Sequence, residues 1–229
     1  MSDLIMYLEI IGAAAFAVSG AMVAISKKFD MFGIIFTGIT TATGGGVIRD
    51  IILDRGTPVM FSDPVYCIVA AVCSALLFFP FVRKLLKNKY AHDAVFIVAD
   101  SLGLAIFTAA TVLYCINIGE TNKFLIVFVS VITGVGGGVL RDLFARDTPI
   151  IFRKYVYASA SIVGALVSVF LADVMNAEIA AAIGFAIIVV IRILSARFKI
   201  NLPKITDEPE KFGESATETS EENTLNGEK

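Results

Sequence analysis

The sequence predicts an all-α integral membrane protein of seven transmembrane helices, built as an inverted three-plus-three repeat with an extra seventh helix. Three observations predict it: a composition too apolar for water, seven apolar runs of spanning length, and one motif that occurs twice in register. Of the 229 residues, 57% are hydrophobic and only 17% charged, and the mean hydropathy of +0.81 exceeds that of an ordinary soluble domain. The acidic excess is concentrated in 201–229, where eight Asp and Glu residues face Lys204, Lys211 and Lys229. That stretch has almost no large apolar side chains to offset its conformational entropy and reads as a disordered cytoplasmic tail.

A spanning helix needs about 20 mostly apolar residues. Such runs fall at 4–25, 31–53, 64–86, 94–116, 124–145, 155–174 and 178–194. They define a membrane domain over 1–200, with a first repeat at 4–90, a second at 94–175 and the extra helix at 178–198. Asp3, with no basic region before the first run, argues against a removable signal peptide. Lys and Arg mark the cytoplasmic side. They crowd the connections after the first run (Lys27, Lys28), the third (Arg83, Lys84, Lys87, Lys89) and the fifth (Arg146, Arg153, Lys154), and the C-terminal flank (Arg197, Lys199). The N-terminus is therefore expected outside and the C-terminus inside.

The repeat is explicit. TATGGGVIRDI at 41–51 recurs as TGVGGGVLRDL at 133–143, and TPVMF at 57–61 recurs as TPIIF at 148–152. Upstream, Glu9, Gly12 and Phe16 correspond to Asp100, Gly103 and Phe107. A unit of three spans is odd, so its second copy enters the membrane from the other side, an arrangement common in transport proteins. Three successive glycines in a span cost roughly 1 kcal/mol each against alanine, so Gly44, Gly45, Gly46 and Gly136, Gly137, Gly138 need a compensating role. One role is close helix packing. The other is a break or kink lining a water-filled path, with Thr41 and Thr133 beside it. The triplets are not phosphate cradles, because neither a GxGxxG nor a GxxxxGK[ST] pattern is present.

Arg49, Asp50, Arg141 and Asp142 are ionisable groups inside apolar runs, where a charge costs at least about 2.5 kcal/mol. Successive helical residues point about 100° apart, so Arg49 is not expected to pair with its own Asp50. Glu9 and Asp100, on the first helix of each repeat, are the symmetric candidates for cross-helix pairs near a central cavity. The competing reading lets both arginines snorkel to the interfaces. One surface histidine, His92, and the lack of a nucleophile–base pattern argue against an enzyme. Cys67, Cys73 and Cys115 have no metal-site spacing. No metal, cofactor or nucleic acid is expected.

The duplicated GGGV[IL]RD[IL] motif, the TPxxF segment after each copy and the seven-span repeat resemble the prokaryotic branch of the trimeric intracellular cation (TRIC) channels, over roughly residues 4–198. The resemblance implies a homotrimer in a prokaryotic plasma membrane, each protomer with its own pore bounded by the glycine-kinked second and fifth spans. It implies K⁺ or Na⁺ as the permeant ion, notably K⁺, and membrane lipid and further copies of the chain as the partners. The Lys-Glu-Val segment of the animal members is absent. The same domain is also labelled a glycine transporter. That leaves a second class, a secondary carrier of glycine or another small zwitterion, beside the channel.

Overall fold

The computed structural model describes residues 3–80, 82, 88–153, 156–198 and 200. All regular structure among them is helical: α1 (Asp3–Ser26), α2 (Met31–Ile52), α3 (Val59–Ser62), α4 (Val65–Phe78), α5 (Lys89–Asn117), α6 (Lys123–Phe144), α7 (Ile150–Arg153), α8 (Ala158–Leu171) and α9 (Ala177–Phe198). Helices α1, α2, α5, α6 and α9 are long and apolar enough to cross a membrane, whereas α4 and α8 are apolar helices of 14 residues each. At 1.5 Å per residue the short pair spans about 21 Å, against about 30 Å of hydrocarbon. Five of the seven expected spans thus reach full length among the described residues. Helix α4 stops at Phe78 because Pro80 disfavours helical backbone at the residue before it, and Phe79 is extended at φ −65, ψ 137. Residues 81 and 83–86 of the expected third span, and the acidic tail at 201–229, lie outside the described residues.

The halves repeat each other down to their caps and turns. Asp30 accepts the Gly33 N–H at 2.7 Å to start α2, and Asn122 accepts the Leu125 N–H at 3.1 Å to start α6. Left-handed residues follow α1 and α5 at Lys28 (φ 60) and Gly119 (φ 80), and follow α2 and α6 at Asp54 (φ 49) and Arg146 (φ 56). Helix α1 packs on α2, α4 and α5, α6 packs on α2, α5 and α8, and α9 lies against α8 and α5.

At the centre the equivalent rings of Phe16 and Phe107 stack, centroids 5.5 Å apart and planes within 11°. Beside them α2 crosses α6 at very short range. A Cβ on Gly45 would lie 2.1 Å from the Thr133 carbonyl oxygen, and one on Gly137 would lie 2.1 Å from that of Thr41. Such reciprocal contact is the signature of a two-fold relation between the halves. Both helices run unbroken through their triplets. Gly45 and Gly137 therefore serve close approach of backbones, and no interruption of the helix occurs at either site. Gly44 faces the Leu140 side chain and Gly136 faces Gly45 and Ile48, whereas nothing lies within 4 Å of a Cβ on Gly46.

The threonine hydroxyls are used locally. Thr41 donates to the Thr37 carbonyl at 2.6 Å and Thr133 to the Val129 carbonyl at 2.7 Å, each within its own helix. Both residues are fully buried at the crossing, so neither hydroxyl faces an open path. Polarity is inverted relative to a soluble protein. Phe32 and Phe124 are 77% and 78% exposed, while Arg49 and Arg141 are 1% and 0% exposed, as a lipid-facing surface around a polar interior requires.

The crossing gives a direct test. Gly45→Ala or Gly137→Ala must push α2 and α6 apart and is expected to lower stability by about 1–3 kcal/mol, the usual cost of overpacking. Gly46→Ala enters open space and is expected to be neutral or stabilising by up to about 1 kcal/mol. Thermal unfolding of the purified protein in detergent reads both.

Candidate functional site

Because Gly45 lies opposite Thr133 and Gly137 opposite Thr41, α2 and α6 run antiparallel through the crossing. Arg49 and Arg141, four residues beyond their respective glycines, consequently lie on opposite sides of it. The buried charges therefore form two separate clusters, one per half, and not one central set.

In the first cluster Arg49 Nη1 donates to Glu9 Oε1 from α1, and Arg49 Nε donates to Asp50 Oδ1 at 2.8 Å. The second contact corrects the expectation that neighbours on a helix cannot pair. The arginine stem is long enough to fold its Nε back toward the adjoining carboxylate in the last turn of α2. Asp50 Oδ2 accepts the Val59 N–H at 2.9 Å, so the same carboxylate ties down the start of α3, the TPxxF segment. Proline at position 58, with no N–H of its own, precedes that donor. The guanidinium carbon sits 4.5 Å from the Tyr114 ring centroid, a cation–π contact.

The second cluster repeats this plan. Arg141 Nη1 donates to Asp100 Oδ1 at 2.6 Å and Arg141 Nε to Asp142 Oδ1 at 2.9 Å, while Asp142 Oδ2 accepts the Ile150 N–H at 2.7 Å to start α7. Arg141 also donates to the Ser19 hydroxyl and stands 5.0 Å from the Phe96 ring centroid.

Here sequence reasoning missed two residues. Arg192 of the extra helix places Nη2 3.2 Å from Asp100 Oδ2, and Tyr157 donates to Asp100 Oδ1 at 3.3 Å with its ring 4.5 Å beneath the Arg192 guanidinium. The signal for Arg192 was present, since a lone arginine in the apolar run IIVVIRIL at 187–194 demands a buried partner from another helix. Tyr157 was legible as the repeat counterpart of Tyr66, 91 positions earlier.

The clusters differ in packing. The first borders a cavity of about 20 Å³, room for one water-sized species, lined by residues that include Glu9, Thr43, Gly46, Arg49, Asp50 and Tyr66. At the equivalent place in the second, a Cβ on Gly138 would meet the Tyr157 hydroxyl at 2.8 Å. Of the expected lining residues, Gly46 alone reaches that cavity from its triplet.

A family model described as glycine transporter matches the chain twice, over 6–83 and 97–173. The UPF0126 inner membrane protein YadS of Escherichia coli K12 is 36% identical over 202 residues, covering 87% of this chain and 95% of YadS. A solved structure presented as "Structural basis for conductance through TRIC cation channels" is 31% identical with a TM-score of 0.76, covering 88% of this chain and 97% of that one. A second, "Crystal structure of a prokaryotic TRIC channel in 0.5 M KCl", is 27% identical with a TM-score of 0.80, covering 88% of this chain and 100% of that one.

The two carboxylates on α1 and α5 carry unequal burdens. Asp100→Asn leaves Arg192 without a carboxylate and is expected to cost about 3–5 kcal/mol, as when one member of a buried ion pair is removed. Glu9→Gln leaves Arg49 still bonded to Asp50 and is expected to cost less than half as much. Unfolding curves in detergent rank the pair.

Proposed function

We propose that this chain, which belongs to the prokaryotic TRIC channel family, is a cation channel that conducts monovalent cations, K⁺ in particular. It is a multi-pass protein of a prokaryotic plasma membrane. The observation that carries the reading is the interior charge count. Among the described residues, four buried carboxylates, Glu9, Asp50, Asp100 and Asp142, face three buried guanidinium groups, Arg49, Arg141 and Arg192. With every group ionised, the interior holds one negative charge in excess, a lining that favours cations and repels anions. The likeness to solved structures presented as cation channels supports the same reading.

In the membrane, seven helices cross with the N-terminus outside and the C-terminus inside, α4 and α8 being the short crossings. Two exposed ion pairs support that placement. Lys27 meets Asp147 at 2.7 Å, joining two connections that the basic-residue count puts in the cytoplasm, and Lys123 meets Asp173, joining two that it puts outside. The first cluster then faces the outer half of the interior and the second the inner half. Each protomer carries its own path past α2 and α6, and the contact of Gly45 and Gly137 with the opposite helix makes this conformation closed at their crossing. Three copies assemble, as the family's name describes.

Single-channel recording in a planar bilayer with asymmetric KCl tests the reading. Discrete steps reversing near the K⁺ equilibrium potential are expected. Reversal near that of Cl⁻ would refute it, and silent bilayers with glycine uptake into proteoliposomes would move the chain to the carrier class.

A further inference from the structure

The two halves invite comparison residue by residue, because Glu9, Gly46, Arg49, Asp50 and Tyr66 of the first occupy the places of Asp100, Gly138, Arg141, Asp142 and Tyr157 in the second. In the second half the acid on α5 is satisfied on both oxygens, by Arg141 on Oδ1 and by Arg192 on Oδ2. Two carboxylates face two guanidinium groups and the cluster is neutral. Arg192 comes from α9, which lies outside the repeat and has no counterpart in the first half.

Among the described residues the first half therefore lacks the second cation. Glu9 and Asp50 face Arg49 with no other described cation beside them, which leaves one negative charge without a described partner on residues that are 3%, 2% and 1% exposed. An unbalanced charge at that depth is costly. Beside it the Tyr66 hydroxyl, on a residue 5% exposed, lies near Glu9 but makes no hydrogen bond of good geometry, whereas its counterpart Tyr157 donates to Asp100. Gly46 leaves space where Gly138 is covered by a tyrosine. The resulting cavity of about 20 Å³ is bordered by the Glu9 and Asp50 side chains and by Tyr66.

We propose that this cavity binds one dehydrated monovalent cation through the Glu9 carboxylate and the Tyr66 phenol oxygen, and that Arg192 is a tethered cation filling the equivalent place in the second half. The charge deficit is a single unit and Arg49 stands beside it, which selects a monovalent over a divalent ion. Oxygen donors, one anionic and one neutral, suit an alkali-metal ion. Arg192 is loosely held for a buried arginine. Among the described residues it makes one hydrogen bond, to Asp100, and leaves Nε and Nη1 without a partner. The inference rests on the cation-channel reading and assigns the excess charge of that reading to one place.

Equilibrium binding of Tl⁺, a probe for K⁺-sized ions, to the purified full chain in detergent tests it. The expected stoichiometry is one K⁺-displaceable ion per protomer, none for Glu9→Gln, and two for Arg192→Met, in which Asp100 keeps Arg141 and Tyr157. Arg192→Lys retains the tethered charge and should stay at one. Absence of binding to the native chain overturns the proposal, as does undiminished binding by Glu9→Gln. Should Arg192→Met fail to fold, the Glu9→Gln and native measurements still decide. Cation currents without saturable binding would remove this site and leave the channel reading standing. One bound ion in a protein that passes no current would do the reverse.

Discussion

An arginine buried in an apolar bundle cannot escape its charge, because its guanidinium does not deprotonate in proteins. Among the described residues three arginines are buried, at 1%, 0% and 2% exposure, and much of the architecture follows from meeting that demand. Each guanidinium is met by a carboxylate on a different helix, so Glu9 holds α1 to α2, Asp100 holds α5 to α6, and Arg192 holds α9 to α5. The adjoining aspartates extend the demand outward, since Asp50 and Asp142 each bond their own arginine and the N–H that opens the following short helix. One motif thereby joins a buried charge to the TPxxF segment downstream of it.

The glycine triplets make this arrangement compatible with a compact core. With Gly45 and Gly137 in backbone contact across α2 and α6, the two arginines fall on opposite sides of the crossing and do not repel each other at short range. Pseudo-symmetry alone would give two identical clusters. The helix added after the second repeat breaks it by supplying a positive charge to one half, and the chemistry of the interior rests on that imbalance.

Much of this was legible in the sequence. The duplication, the odd number of helices per unit and the candidacy of Glu9 and Asp100 as cross-helix partners of the two arginines follow from residues at fixed offsets and from the cost of an unpaired charge in hydrocarbon. Which acid meets which arginine, and their division into two clusters, came from the structure. Other features depend on side-chain reach and tertiary fit. The Arg49–Asp50 bond defeats the rule for neighbouring helical residues because that rule describes directions at Cβ, not the end of a long flexible stem. The choice between a glycine break and a glycine contact depends on what the opposite helix presents, here carbonyl oxygens of Thr133 and Thr41. The early end of α4 was readable from Pro80, whereas hydropathy alone carried the expected span past it. Arg192 escaped because it has no repeat partner to draw attention to it.

Interhelical ion pairing, not general burial, holds the helices of each half together. A double-mutant cycle on Asp100→Asn and Arg141→Gln, with stability measured in detergent, tests it most directly. Strong coupling is expected, with the double variant at least about 2 kcal/mol more stable than the sum of the single losses implies. Losses that add within about 0.5 kcal/mol would show that the two side chains act independently, and would contradict it.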